Sequence, residues 1–152
     1  MFREYKRDKE GIFLPPIEIK NHPQKGYIAL AVEDIQAGQL IERCPTVKFS
    51  SEMMKDLFDL NDGRSILSDY MFCYTRKGFS YWAMGYGGIY SHSFDPNARW
   101  TITHMSDGRD TIDIRAIKDI SKGEEITHNY LPKVNRLPGN PRDYLWFDPV
   151  EE

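Results

Sequence analysis

Strict alternation of apolar and polar residues is the feature that most constrains this chain. In RWTITHM, Trp100, Ile102 and His104 alternate with Thr101 and Thr103, and in TIDIRAI, Ile112, Ile114 and Ala116 alternate with Asp113 and Arg115. A period of two places successive side chains on opposite faces of an extended strand. Ser106-Asp107-Gly108-Arg109 between the two runs supplies turn residues, so the pair predicts a hairpin. A second hairpin is expected between Tyr70–Thr75 and Phe79–Met84, across Arg76-Lys77-Gly78. Only SEMMKDLFDL reads as a helix, with Ser51 as N-cap, Glu52 in the first turn and Met53, Met54, Leu57 and Phe58 on one face. Asn61-Asp62-Gly63 would stop it. Pro132, Pro138 and Pro141 exclude a long regular element near the C-terminus and suggest a lid or tail. The expected class is mostly β.

At 152 residues the chain is expected to form one domain, and 40% hydrophobic with 13% aromatic content excludes global disorder. Its net charge of −3 disfavours electrostatic capture of nucleic acid. The longest apolar run, Tyr27–Val32, falls far short of the ~20 residues that a membrane-spanning helix needs. MFREYKRDKEG is charged from Arg3 onward, which argues against a secretory signal and for the cytoplasm or nucleus. Cys44 and Cys73 form no CxxC pair. They suit burial as small hydrophobes better than a disulfide. His22, His92, His104 and His128 show no ligand spacing, so no metal site is expected. His92 reads as a structural, hydrogen-bonded imidazole. Glu124 and Glu125 are neighbours on an extended segment and point to opposite faces, one solvated and one in a buried contact.

Two further patterns remain. Asp34-Ile35-x-x-Gly38-x-x-Ile41 recurs as Asp119-Ile120-x-x-Gly123-x-x-Ile126, each an apolar residue before a glycine turn and another after it. MGYGGIYSHSFDPNARW places Gly85, Gly87, Gly88 and Ser91 beside Tyr86, Tyr90 and His92. That composition suits either a small-molecule pocket or a turn packed with aromatics.

Three segments occur in the order and approximate spacing of the SET-domain lysine methyltransferases: GYIALAVEDIQAGQLIERCP, GGIYSHSFDPNARW and IDIRAIKDISKGEEITHNY. They resemble that family's glycine motif with its Asp-Ile-x-x-Gly signature, its Asn-His-Ser-x-x-Pro-Asn motif and its Gly-Glu-Glu-Leu/Ile-Thr-x-x-Tyr motif. LSDYMF and MGYGGIYSHSFDPNAR look most like the minimal viral and bacterial members. The resemblance implies a SET-domain fold of several small curved sheets, one or two short helices and a C-terminal pseudoknot. It divides the chain into an N-terminal extension (1–16), a SET domain (17–131) and a tail (132–152).

By motif position, the resemblance implies that S-adenosylmethionine is the cofactor, bound by Gly26, Tyr27, Ile28, Ala29, Ser91, His92 and Tyr130, with Trp146 or Phe147 covering the adenine. It makes Tyr130 the channel tyrosine beside the methyl group and Tyr70 part of the channel wall. The implied substrate is a lysine of a protein or peptide, a histone tail among them, and a homodimer is left open by the likeness to minimal members. A free lysine is almost wholly protonated near neutrality, and making the neutral amine costs about 4 kcal/mol. An apolar, phenol-lined channel lowers that cost without a carboxylate base. The chain departs from the family at three positions. Ile28 stands where the second glycine is usual, Ser91 replaces Asn, and His128 occupies the place of a phenylalanine or tyrosine that influences methyl number. Ile28 and Ser91 keep a second class open, a catalytically weak interaction module with impaired cofactor binding.

Overall fold

The computed structural model describes residues 14–59, 70–74 and 78–130. Along the chain run β1 (Ile17–His22), β2 (Gly26–Ala31), β3 (Leu40–Ser50), α1 (Ser51–Asp59), β4 (Met71–Tyr74), β5 (Phe79–Ala83), β6 (Ser91–His92), β7 (Ala98–His104), β8 (Asp110–Ala116) and β9 (Thr127–His128). They form a β1–β2 hairpin, a five-stranded sheet ordered β4-β5-β3-β8-β7, and a β6–β9 pair. The architecture is thus mostly β in several small sheets, with one helix among the described residues. Both predicted hairpins are present. β4 and β5 pair antiparallel from Met71↔Trp82 to Tyr74↔Phe79. At the β7–β8 turn the Met105 N–H donates to the Arg109 carbonyl at 2.9 Å and the Gly108 N–H to the Met105 carbonyl at 3.0 Å. Asn61-Asp62-Gly63, Arg76-Lys77 and the three prolines lie outside the described residues.

The described residues fall into two compact units. Unit one draws on residues 14–41, 89–100 and 114–130, and unit two on 42–59, 70–74, 78–88 and 101–113. Neither is a contiguous stretch, because β3, β7 and β8 each change unit along their length. Linker composition therefore carried no sign of the division.

In unit one the recurring Asp-Ile-x-x-Gly pattern is a reciprocal pair. Ile35 and Ile120, each 1% exposed, exchange both backbone hydrogen bonds at 2.8 Å. Asp34 accepts from the Lys122 N–H and Asp119 from the Ala37 N–H, both at 2.9 Å. The Gly38 N–H donates to the Ala116 carbonyl and the Gly123 N–H to the Ala31 carbonyl. Both glycines adopt positive φ, 85° and 86°, which a β-carbon would oppose. The two copies therefore satisfy one another's turn donors and close a core that includes Ala29, Ala31, Ile41 and Ile126.

In unit two, β8 departs from simple alternation. Ile112 is fully buried, but so is Asp113 on the opposite face, at 1% exposed. The strand lies between β3 and β7, and on its polar face side chains of those neighbours, Arg43 and Thr103, close over the Asp113 carboxylate. At the helix, the cap is Ser50 rather than the expected Ser51. Ser50 Oγ accepts from the Met53 N–H at 3.2 Å, whereas Ser51 Oγ donates to the Gly78 carbonyl at 2.7 Å. The hairpin turn has claimed the Ser51 hydroxyl, moving the cap back by one. Met54 is buried while Met53 is 50% exposed, so the apolar face excludes Met53. The side chains of Leu57 and Phe58 lie outside the described residues.

The glycines of MGYGG prove to be packing sites. A β-carbon on Gly87 would fall 2.6 Å from Ala83 Cβ and 3.0 Å from Cys44 Sγ, and one on Gly85 would fall 2.6 Å from Glu42 Oε1. Cys44 is a buried free thiol whose pKa is raised by burial, with Glu42 adding to the effect. It is held as a small hydrophobe. The side chain of Cys73 lies outside the described residues.

Candidate active site

The site residues proposed from the glycine motif, the Ser-His motif and the terminal tyrosine all belong to unit one. β6 and β9 pair in parallel, Ser91 beside Thr127 and His92 beside His128. Two residues per strand make too short a ladder to stand alone. Asn97 supports it: its Oδ1 accepts the Thr127 N–H at 2.9 Å and its Nδ2 donates to the Glu125 carbonyl at 2.8 Å. Asn97 is 7% exposed and bonded through both ends of its amide. Sequence reading placed it in a motif without giving it this role.

Tyr130 follows β9 and is fixed at two points. Its backbone N–H donates to His92 Nδ1 at 3.1 Å, and its hydroxyl donates to the Tyr90 carbonyl at 2.8 Å. The rings gather around it, His92 at 5.2 Å and His128 at 4.9 Å between centroids, with Phe94 edge-on to His92 at 4.5 Å. Tyr90 contacts His128 edge-on at 6.5 Å. The Tyr90 carbonyl is a second anchor that sequence reading missed; its adjacency to Ser91 was the available signal.

His92 is the structural imidazole expected, accepting through Nδ1. Burial pushes both imidazoles down, His92 to about 4 and His128 to about 4, the second helped by the nearby His92. Both are neutral at physiological pH. Since the unfolded chain has ordinary imidazoles, it binds more protons than the folded chain between about pH 6.5 and 4, and stability must fall as pH drops through that window. For fully buried His128 the loss is about 3 kcal/mol across the window, with a smaller share from partly exposed His92. Urea midpoints measured at pH 7 and pH 5 check this: a lower midpoint at pH 5 is expected, and equal midpoints would show imidazoles titrating normally.

β2 supplies the other edge. Gly26 opens it at φ 79°, and a β-carbon there would meet nothing within 4 Å, so one side of the backbone is open. Tyr27 is 62% exposed, while Ile28 is 8% exposed and Ala29 fully buried. Ser91 is also buried. Tyr70 belongs to unit two, where it is half exposed with its ring against Gly88. Trp146 and Phe147 lie outside the described residues. Glu124 is exposed and Glu125 pairs with Lys25 at 2.7 Å, the division expected for adjacent strand residues. Among the described residues no group of His, Cys, Asp and Glu could hold a metal ion, and no helix is long and apolar enough to cross a membrane.

Residues 26–131 match the SET domain, a span that runs from β2 through Tyr130. The chain belongs to the SET-domain family. This SET protein is similar to the histone-lysine N-methyltransferase, H3 lysine-37 specific, of Schizosaccharomyces pombe, at 27% identity over 134 residues, covering 88% of this chain and 78% of the relative. Its fold is similar to a crystal structure of a candidate histone methyltransferase of Plasmodium falciparum, with TM-score 0.61 and 27% identity over 78% of this chain and 95% of that one. It also matches a ctPRC2 structure, autoinhibited and bound to S-adenosylmethionine, with TM-score 0.61 and 21% identity over 76% of this chain and 15% of that one. This last likeness concerns the fold alone. With its family established, the SET protein is a protein-lysine methyltransferase.

The residues of unit one fit S-adenosylmethionine. Gly26 presents open backbone, His92 and Tyr130 are partly accessible, and the bulk introduced by Ile28 is packed into protein instead of projecting freely.

Proposed function

We propose that this methyltransferase takes its methyl group from S-adenosylmethionine held by Gly26, Tyr27, Ile28, Ala29, Ser91, His92 and Tyr130, and delivers it to a lysine on a histone-like basic tail. The observation that carries this is the double anchoring of Tyr130, which fixes a phenol beside neutral imidazoles where a cation must be tolerated but not created. The cofactor supplies a methyl on a sulfonium, an electrophile that needs no covalent enzyme intermediate. The chain's own task is to present an uncharged amine in line with it. Tyr130 donates its proton to the Tyr90 carbonyl, so its oxygen turns lone pairs outward to accept hydrogen bonds from the amine or polarised methyl hydrogens. Neutral His92 and His128 add no positive charge beside the sulfonium, whose own charge favours the uncharged form of the approaching amine. Tyr70 is proposed to wall the lysine channel, and Trp146 or Phe147 to cover the adenine. A modestly acidic chain suits a basic substrate.

Calorimetry with S-adenosylhomocysteine tests the reading. Binding in the range of about 1–100 μM is expected, and its absence at several hundred μM would favour the interaction module that Ile28 and Ser91 left open. Transfer of labelled methyl to mixed core histones then tests the substrate class.

A further inference from the structure

One largely buried ion pair has no part in the chemistry so far. Lys25 Nζ lies 2.7 Å from Glu125 Oε2, the side chains only 12% and 17% exposed. We propose that Lys25 and Glu125 form a positioning latch that holds the first half of β2 in the conformation that receives S-adenosylmethionine, setting donor affinity without touching the reacting atoms. The inference rests on the cofactor reading above.

The two halves of β2 are held differently. Its distal half is stitched to the segment before β9: the Ile126 N–H donates to the Ala29 carbonyl at 2.8 Å, the Ala31 N–H to the Glu124 carbonyl at 2.9 Å, and Leu30 bridges Glu125. Its proximal half, Gly26 and Tyr27, is exposed, has no side chain at Gly26, and among the described residues takes its ladder from β1. Lys25 spans that gap. It precedes the positive-φ glycine, and the turn carrying it is capped by His22 Nδ1, which accepts the Gln24 and Lys25 N–H groups at 3.2 Å each. Glu125 in turn is held through its carbonyl by Asn97, the same residue that supports β9. The pair therefore links the proposed cofactor backbone to the strand leading into Tyr130. A buried ion pair contributes little net stability compared with apolar residues of similar volume, so its value here is geometric.

The test measures S-adenosylhomocysteine affinity by calorimetry, kcat and KM for S-adenosylmethionine, and thermal midpoint in the full chain. For K25M, and for the double variant K25M/E125L, which removes both charges together, Kd and KM should rise about tenfold or more with kcat within about threefold, while K25R should stay within about threefold of wild type throughout. The double variant should melt near the wild-type temperature even if K25M does not. Unchanged Kd in the folded double variant would overturn the latch, as would a fall in kcat at constant Kd. A wild-type chain that binds no donor sinks the cofactor reading, and the latch with it.

Discussion

Replacing Tyr130 with phenylalanine is expected to lower kcat for lysine methylation by about 10²–10³-fold, while the thermal midpoint changes by only a few degrees. The two numbers separate because the hydroxyl has two tasks. In the resting protein it donates a neutral hydrogen bond to the Tyr90 carbonyl at 2.8 Å, whose removal costs about 1 kcal/mol. The ring keeps its packing against His92 and His128, and the backbone N–H keeps its bond to His92. During reaction the same oxygen is the fixed acceptor proposed to align amine and methyl, and such positioning has no substitute from water in an apolar channel. Single-turnover methyl transfer with saturating cofactor isolates this step. A rate within fivefold of wild type would show that Tyr130 does not line the channel. A collapsed thermal midpoint would mean that its anchoring is structural.

The fold was legible wherever local rules suffice. Both hairpins follow from period two and turn residues, and the parallel pairing of Ser91-His92 with Thr127-His128 brings together two motifs that the family resemblance had aligned. The failures share a cause, which is that distant segments decide what becomes of a local polar group. Ser51 looked like the better cap, but Gly78 takes its hydroxyl from 27 positions away. Asp113 sat on what read as a polar face, and its burial comes from Arg43 on β3 and Thr103 on β7, which the sequence of one strand cannot reveal. The repeated Asp-Ile-x-x-Gly pattern was visible, yet the reciprocity of its hydrogen bonds depends on the copies meeting in space. At the site, residue types were readable and anchors were not. Tyr130 could be named from its motif, while the Tyr90 carbonyl and both bonded ends of Asn97 are three-dimensional facts.

Removing the Arg43 guanidinium is expected to be strongly destabilising, about 3–5 kcal/mol for Arg43→Met, because it leaves a carboxylate buried without its cation. Asp113 is 1% exposed and receives Arg43 Nε at 2.9 Å and Nη2 at 2.8 Å, a bidentate fork. Thr103 and Thr111 donate to the remaining lone pairs at 2.9 and 3.1 Å. Burial alone would raise this carboxyl, but Arg43 and the two threonines outweigh it and hold the pKa below the usual range. A depressed folded pKa adds stability above the unfolded value, lost only in acid as pH falls through the folded one, so at neutral pH the full contribution is present. Arg43→Met retains most of the aliphatic stem, which separates lost charge from lost packing. Asp113→Asn on top of Arg43→Met should recover part of the loss, since the amide carries no unpaired charge, its oxygen accepts from one threonine and its NH2 can donate to the other hydroxyl. Urea unfolding of the four chains in the cycle gives the coupling directly. A single Arg43→Met variant within 1 kcal/mol of wild type would mean that the threonines and local solvent satisfy Asp113 unaided, and that β8 does not depend on the fork to bury its polar face.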